Sequence, residues 1–200
     1  MVYAFFRVVF CVFFKLLFRA EIVGTENIPK DGPLILAANH MSNWDPPFLA
    51  CFISRKVSYM AKEELFRNPI FGAAITSCHA FPVKRGAADM GAIKSAIQVL
   101  KQGRCLGLFP EGTRSKTGEI GKAEAGVGLI ASKSKAPVVP AAIIGTDKIM
   151  ANGGFLPKLK VIYGEPMYFS GNPKNKEELE AFSQSILDRI AAMKENSLNR

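Results

Sequence analysis

The sequence of 200 residues lacks several patterns by which common protein classes are identified. Its four cysteines form no C-x-x-C pair, which argues against a zinc ribbon or a thioredoxin-like motif and fits a reducing compartment. There is no G-x-S-x-G nucleophile elbow, no P-loop and no internal repeat. Because 48% of the residues are hydrophobic and 22% are charged, a disordered or collagen-like chain is also excluded.

Acidic residues are scarce relative to basic ones. The chain has 17 Asp plus Glu against 26 Lys plus Arg, which gives a formal net charge of +9. Such an excess predicts anionic partners, namely nucleic acid, an anionic membrane surface or phosphorylated substrates. None of the usual nucleic-acid-binding modules is recognisable in the sequence, so we expect no nucleic-acid partner.

The N-terminal segment lacks an uncharged run long enough to form an uninterrupted membrane-spanning helix. A spanning helix needs ~20 apolar residues, whereas Arg7 and Lys15 leave only positions 8–14 uncharged between them. On a helix, these two cations and Arg19 fall on one stripe. We therefore expect residues 1–19 to form an interfacial membrane helix, with cations toward lipid headgroups and Phe toward acyl chains. A tilted spanning helix and a helix buried against the protein's own core are the alternatives.

Residues 20–200 alternate short apolar runs with amphipathic segments, which predicts a single α/β domain. We expect a largely parallel central sheet covered by helices. Strands are predicted over 33–38, 57–61, 80–83, 104–109, 138–144 and 159–163, and helices over 46–53, 62–77, 89–102, 124–134 and from 175 onward. Residues 126–131 match G-x-G-x-x-[GA], but no strand precedes them, so we interpret them as a helix packed closely through its glycines.

One of only two histidines, His40, precedes Asp45 by five positions, between a predicted strand and a proline-marked helix. Residues five apart do not face each other on a helix or a strand, so this pair can meet only across a turn. We hypothesise a His–Asp dyad in which Asp45 fixes the imidazole tautomer and His40 acts as a general base. The alternative is a structural histidine and an Asp45 that caps the helix. We interpret His79 as structural and expect no metal site, because no metal-ligand spacing connects the two histidines.

Four ordered segments carry a resemblance to a known family. Asn39-His40-x-x-x-x-Asp45 resembles the NHxxxxD motif of the glycerolipid acyltransferases of the 1-acylglycerol-3-phosphate (lysophosphatidic acid) acyltransferase family. Segments 81–86 (FPVKRG), 109–115 (FPEGTRS) and 138–143 (VVPAAI) are similar to its second, third and fourth motifs. The resemblance implies catalysis by His40 and Asp45. It further implies support of the first motif by Asn39 and Ser42, and binding of the acceptor's phosphate by Lys84, Arg85, Glu111, Gly112, Thr113 and Arg114.

The charged residues among these also permit a plainer interpretation. Lys84 and Arg85 precede a glycine and would project at a turn, while Arg114 can clamp a phosphate bidentately. The alternative is that Lys84 and Arg85 form a solvated basic pair, and that Glu111 and Arg114 form a local surface ion pair.

The function that the resemblance implies is O-acyl transfer. A fatty acyl group would move from a thioester of coenzyme A or acyl carrier protein to the free hydroxyl of a lysophosphatidate, without a metal or redox cofactor, on an anionic membrane surface at the cytoplasmic face of the cell membrane. Two other hypotheses stay open. One is a related acyltransferase with another acceptor, such as glycerol 3-phosphate, a lysophospholipid or an amino-lipid. The other is a non-catalytic lipid-binding module. The acceptor that supports thiol release discriminates among them.

Overall fold

The computed structural model describes residues 2–83, 90–115, 117–150 and 156–199, and in this part of the chain seven strands form one sheet. The strands are β1 (Glu21–Val23), β2 (Leu34–Ala38), β3 (Val57–Lys62), β4 (Ala80–Val83), β5 (Cys105–Leu108), β6 (Val138–Ile144) and β7 (Lys160–Tyr163). Their order is β1-β7-β6-β2-β5-β3-β4. The pairing of β6 with β7 is antiparallel and the other pairings are parallel. The predicted single α/β domain with a largely parallel sheet is therefore confirmed.

Helices cover both faces of this sheet. They are α1 (Val2–Phe18), α2 (Asp45–Cys51), α3 (Pro69–Ser77), α4 (Met90–Lys101), α5 (Gly126–Ser134) and α6 (Lys176–Leu198). Short 3-10 turns lie at Thr25–Asn27, Glu63–Phe66 and Thr146–Lys148. The central strand β2 is buried at every position, because alternate side chains pack into a core under α1 and α2 and into a second core under α4, α5 and α6. Burial on both faces explains why the sequence of β2 is an uninterrupted apolar run.

Most predicted elements are present, with shifts that have local causes. The helix predicted over 62–77 is a 3-10 turn followed by α3. Asn68 is extended because it precedes Pro69, and its side chain accepts hydrogen bonds from Ile70 N and Phe71 N. The last helix begins as predicted after Asn175, whose side chain accepts from Glu177 N and Glu178 N. Strand β1 was not predicted, since three residues carry no readable alternation.

One side of helix α1 packs against the protein core, and its other side is exposed. Phe14 and Phe18 are buried in the core, and the ring of Phe14 lies 4.9 Å from that of Phe48. The expectation that the phenylalanines of this segment point toward lipid is therefore wrong for these two. The outer side of α1 is exposed and largely aliphatic: Val2, Phe5, Val8, Val9, Val12, Leu16 and Leu17. A sequence that is apolar all round does not reveal which side the core takes.

The cations of α1 do not form the full predicted stripe. Arg7 and Lys15 line a groove of about 400 Å³ together with Cys11, against β1 and the end of α2. Arg19 follows the end of the helix and has a positive φ of 46°, so it lies off the stripe. Within the described ranges, no helix has the length and hydropathy needed to cross a membrane.

Two glycines of α5 provide a test of the close packing predicted for this helix. A Cβ on Gly128 would overlap the carbonyl oxygen of Leu179 on α6, whereas a Cβ on Gly126 would meet open space. We expect Gly128→Ala to lower the free energy of unfolding by roughly 1–3 kcal/mol, because helix backbone has to move. The matched variant Gly126→Ala should be neutral or raise stability by ~0.5–1 kcal/mol. Urea unfolding measures both, and equal effects would contradict the packing.

Candidate active site

The candidate site forms where three neighbouring parallel strands end. Strand β2 is hydrogen-bonded on one side to β5 and on the other to β6, all in the same direction. The segments that follow them, 39–45, 109–115 and 145–146, therefore emerge at one edge of the sheet. This edge is where open α/β folds generally bind ligands.

The predicted pairing of His40 with Asp45 is present. Nδ1 of His40 lies 2.7 Å from Oδ2 of Asp45, whose side chain is fully buried. The same oxygen accepts hydrogen bonds from the backbone amides of Met41 (2.6 Å) and Ser42 (2.7 Å). The chain thus turns tightly around the carboxylate, as the spacing of five residues requires.

The alternative role of Asp45 as a helix cap is wrong. Helix α2 begins at Asp45 itself, with Trp44 as the N-cap residue and without a side-chain capping bond. The carboxylate accepts from amides that precede it in the chain, not from the first turn of α2. Pro46 has no amide hydrogen to satisfy, so the helix can begin here without a side-chain cap.

These contacts fix the tautomer of His40. A carboxylate only accepts hydrogen bonds, so in the neutral ring Nδ1 carries the proton and Nε2 keeps its lone pair. The imidazole ring stacks on Phe109, with ring centroids 4.0 Å apart and planes 17° apart. The side chain of His40 is 12% exposed, so the ring is not fully enclosed. Held along one edge and one face, the ring presents Nε2 as a base.

The ring of Tyr59 lies near Phe109 and extends the stack. Tyr59 lies parallel to Phe109, with centroids 6.3 Å apart, and its hydroxyl donates a hydrogen bond of 2.8 Å to Pro46 O. Gly107 is required here, because a Cβ at that position would overlap the tyrosine ring. Burial raises the pKa of Tyr59 well above its ordinary value, so the phenol remains a neutral donor.

Two side chains connect segment 39–45 to the end of β6. Asn39 is buried, donates through Nδ2 to Ile143 O (2.9 Å) and accepts through Oδ1 from Ile143 N (2.8 Å). Thr146, also fully buried, donates its hydroxyl proton to Oδ1 of Asp45 over 2.5 Å. Asn39 thus satisfies backbone groups of Ile143 that lie beyond the pairing of β2 with β6, which gives its predicted supporting role a physical basis.

The segment after β5 holds the backbone of His40. Glu111 accepts a hydrogen bond from His40 N (3.0 Å) and another from Gly121 N (3.1 Å), and Ser115 N donates to His40 O (2.8 Å). The carboxylate of Glu111 therefore binds amides of the protein itself. Its contact with the acceptor remains a prediction.

The other predicted binding residues lie beside this segment at the surface. Arg114 is exposed and donates through Nη1 to Oδ1 of Asn43 over 3.0 Å. Gly112, with φ of 69°, and Thr113 are exposed at the turn before it. The alternative of a Glu111–Arg114 ion pair is wrong, because Arg114 contacts Asn43 and Glu111 contacts backbone amides.

The remaining predicted residues are Ser42, the pair Lys84 and Arg85, and His79. Ser42 accepts a hydrogen bond from Trp44 N over 3.3 Å, which helps to shape the turn around Asp45. Lys84 and Arg85 lie outside the described residues. His79 packs against Tyr3, with ring centroids 5.4 Å apart, and burial together with nearby Lys56 and Arg104 lowers its pKa.

Sequence reasoning missed three contacts of the site: those of Thr146, Phe109 and Asn43. Thr146 directly follows a glycine at the carboxyl end of a predicted strand, which is a signal for a position near the site. The stacking of Phe109 and the hydrogen bond that Arg114 donates to Asn43 depend on the register between strands, which a single sequence does not give.

Comparisons with known proteins show which family the chain resembles. A family model described as acyltransferase matches residues 19–144. A 1-acyl-sn-glycerol-3-phosphate acyltransferase of Bacillus subtilis is 36% identical over 186 residues, which cover 90% of both chains. One of Streptococcus pneumoniae is 34% identical and matches 90% of this chain and 67% of its own length. The crystal structure of the 1-acyl-sn-glycerophosphate (LPA) acyltransferase PlsC from Thermotoga maritima superposes with a TM-score of 0.74 and 30% identity, covering 96% of this chain and 78% of that one.

Proposed function

This chain belongs to the acyltransferase family, and from that premise we propose that it acts as a 1-acyl-sn-glycerol-3-phosphate O-acyltransferase. It moves a fatty acyl group from a thioester to the free hydroxyl of lysophosphatidate, and the product is phosphatidate. The observation that carries the proposal is the imidazole of His40, whose Nδ1 is held by a buried carboxylate while Nε2 is left as a base. The relatives from Bacillus subtilis and Streptococcus pneumoniae carry the name of this activity, which supports lysophosphatidate as the acceptor.

In the proposed mechanism, Nε2 of His40 takes the proton of the acceptor's hydroxyl as its oxygen attacks the thioester carbonyl. The tetrahedral intermediate collapses, the carbon–sulfur bond breaks, and the imidazolium returns its proton to the leaving thiolate. The carboxylate of Asp45 stabilises the transient imidazolium. Each step is balanced without a metal or redox cofactor.

Direct transfer to the acceptor also fits the state of the buried thiols. Burial raises the pKa of Cys105 to about 12, and it raises that of Cys51 as well. Thiols with raised pKa values are protonated and weakly nucleophilic near neutral pH. Neither of these cysteines is therefore suited to carry an acyl-enzyme intermediate.

The acceptor's phosphate binds, in this proposal, at the turn that carries Arg114. The guanidinium has five donors in a planar fork, and one bond to Asn43 leaves the others for a phosphate. Lys84 and Arg85, after β4, add positive charge. Gly112 and Thr113 contribute exposed backbone at the same turn, where amides can approach an anion closely.

The acyl donor and the location complete the proposal. Either acyl-coenzyme A or acyl carrier protein supplies the thioester, and the net charge of +9 favours both of these anionic donors. We place the enzyme on the cytoplasmic face of the cell membrane, with the exposed aliphatic side of α1 in contact with an anionic leaflet. The lysophospholipid acceptor would then be reached from the same surface.

The reaction is tested by measuring thiol release from palmitoyl-coenzyme A and palmitoyl-acyl carrier protein, with and without lysophosphatidate. We expect release only when the acceptor is present, and His40→Ala should lower the rate by ~10²–10⁴-fold because the base is lost. The chain offers a matched control in its second histidine. His79→Asn should keep full activity, since asparagine tolerates the positive φ of 63° at that position.

Two outcomes would contradict different parts of the proposal. Release of thiol with other lipid hydroxyls but not with lysophosphatidate would mean that the acceptor is wrong. Turnover that survives His40→Ala would mean that the dyad is not the catalyst.

The phosphate site makes a separate prediction. Arg114→Ala should raise KM for lysophosphatidate by about 10- to 100-fold, because a charge-assisted hydrogen bond to the phosphate is lost, while KM for the donor stays unchanged. Arg67→Ala, at another exposed arginine, is the control. An equal rise in both Michaelis constants would argue against a specific phosphate contact.

Substitutions on the exposed side of α1 test whether this helix contacts the membrane. Deleting the helix would remove Phe14 and Phe18 from the core, so substitution is the cleaner experiment. The double variant Val8→Ser, Leu16→Ser alters side chains that are 60% and 75% exposed and should lower binding to phosphatidylglycerol vesicles by at least ~10-fold. Leu198→Ser, equally exposed on α6, should not alter vesicle binding. Unchanged sedimentation of the double variant would refute the contact.

A further inference from the structure

The buried carboxylate of Asp45 has two oxygens in unequal surroundings. Oδ2 accepts from the imidazole of His40 and from two backbone amides, whereas Oδ1 accepts from the hydroxyl of Thr146. Asp45 and Thr146 are both fully buried, so water does not replace these partners. Whatever fixes Oδ1 also fixes the plane of the carboxylate and hence the direction in which Oδ2 meets the imidazole.

The fold delivers Thr146 to this position from a remote part of the chain. It opens the 3-10 turn that follows β6, directly after Gly145, which has φ of 90°. A Cβ on Gly145 would lie 2.6 Å from Lys158 O, so the glycine permits both the backbone conformation and the close approach. The two hydrogen bonds between the Asn39 side chain and the backbone of Ile143 hold β6 against segment 39–45. Ile143 lies three residues before Thr146.

We propose that Thr146 is a positioning residue of the active site, which acts through Asp45 to hold the imidazole of His40 in its productive tautomer and orientation. Its hydroxyl is a donor to the carboxylate, since an ionised carboxylate only accepts. Without that bond, Oδ1 is left buried without its donor, and the plane of the carboxylate that faces Nδ1 is held only through Oδ2. This inference rests on the proposed function, in which His40 is the base.

A pair of variants that differ by one oxygen atom tests the hydroxyl itself. Thr146→Ser and Thr146→Ala both remove the methyl group, and only the serine keeps the donor. We expect Thr146→Ala to lower kcat by about 10- to 100-fold with KM for both substrates unchanged, because a hydrogen bond to a charged group is lost. Thr146→Ser should keep most of the wild-type kcat. Equal losses in the two variants would overturn the proposal, since packing rather than the hydroxyl would then explain them.

A spectroscopic readout is independent of turnover. The chain has only two histidines, so ¹⁵N-labelled histidine gives two sets of ring signals, and His79→Asn assigns them. In the wild type and in Thr146→Ser, the His40 ring should show a protonated Nδ1 with a downfield, slowly exchanging proton. In Thr146→Ala that proton should exchange rapidly and the ring should become a mixture of tautomers, while His79 stays unchanged. Identical His40 signals in all three proteins would refute the proposal.

These measurements separate the inference from the proposed function. Failure of the wild type to acylate lysophosphatidate would refute that function, whereas the His40 signals report on Thr146 whether or not turnover occurs. Thr146→Val, which keeps the side-chain volume, replaces the alanine variant if the latter does not fold. In the wild type itself, the Thr146 hydroxyl proton should exchange slowly with water, and rapid exchange would overturn the proposal without any variant.

Discussion

The burial of one carboxylate sets the conditions for the rest of this site. Asp45 is fully buried, and an ionised group in that position is tolerated only when hydrogen bonds replace water. The described residues supply four: two amides from the turn that follows β2, the imidazole of His40, and the hydroxyl of Thr146. The same bonds that stabilise the carboxylate therefore also orient the base. The hydrogen bonds that make the buried charge of Asp45 tolerable are thus also the ones that set the catalytic geometry.

The sheet makes this arrangement rigid. Parallel pairing of β2 with both β5 and β6 brings three chain segments to one edge, and each contributes a constraint on His40. Segment 109–115 holds its backbone and stacks Phe109 on its ring, while the end of β6 reaches its carboxylate partner. A base that is held from several sides has little conformational entropy left to lose when the transition state forms. This is the physical advantage of building the site on strand ends.

The sequence alone was sufficient for the fold class, for most of the strands and for the His40–Asp45 pair, because these depend on local spacing and on apolar periodicity. What it missed depends on contacts between distant residues. Thr146 lies 101 positions from Asp45, and only the β2–β6 register brings them together. The outer side of α1 could not be assigned either, since a helix that is apolar all round has no period that separates core from surface. The alternative of Asp45 as a helix cap is wrong because its carboxylate accepts from the preceding amides of Met41 and Ser42, and its position before Pro46 does not reveal this.

The proposed mechanism requires that His40 accept the proton of the substrate hydroxyl. The decisive experiment measures kcat/KM as a function of pH and follows the protonation of His40 by NMR in the same protein. A general base has to be unprotonated, so we expect kcat/KM to fall on the acidic side in step with protonation of His40 and not with that of His79. If kcat/KM stays unchanged while His40 becomes protonated, with chemistry limiting, His40 is not the base.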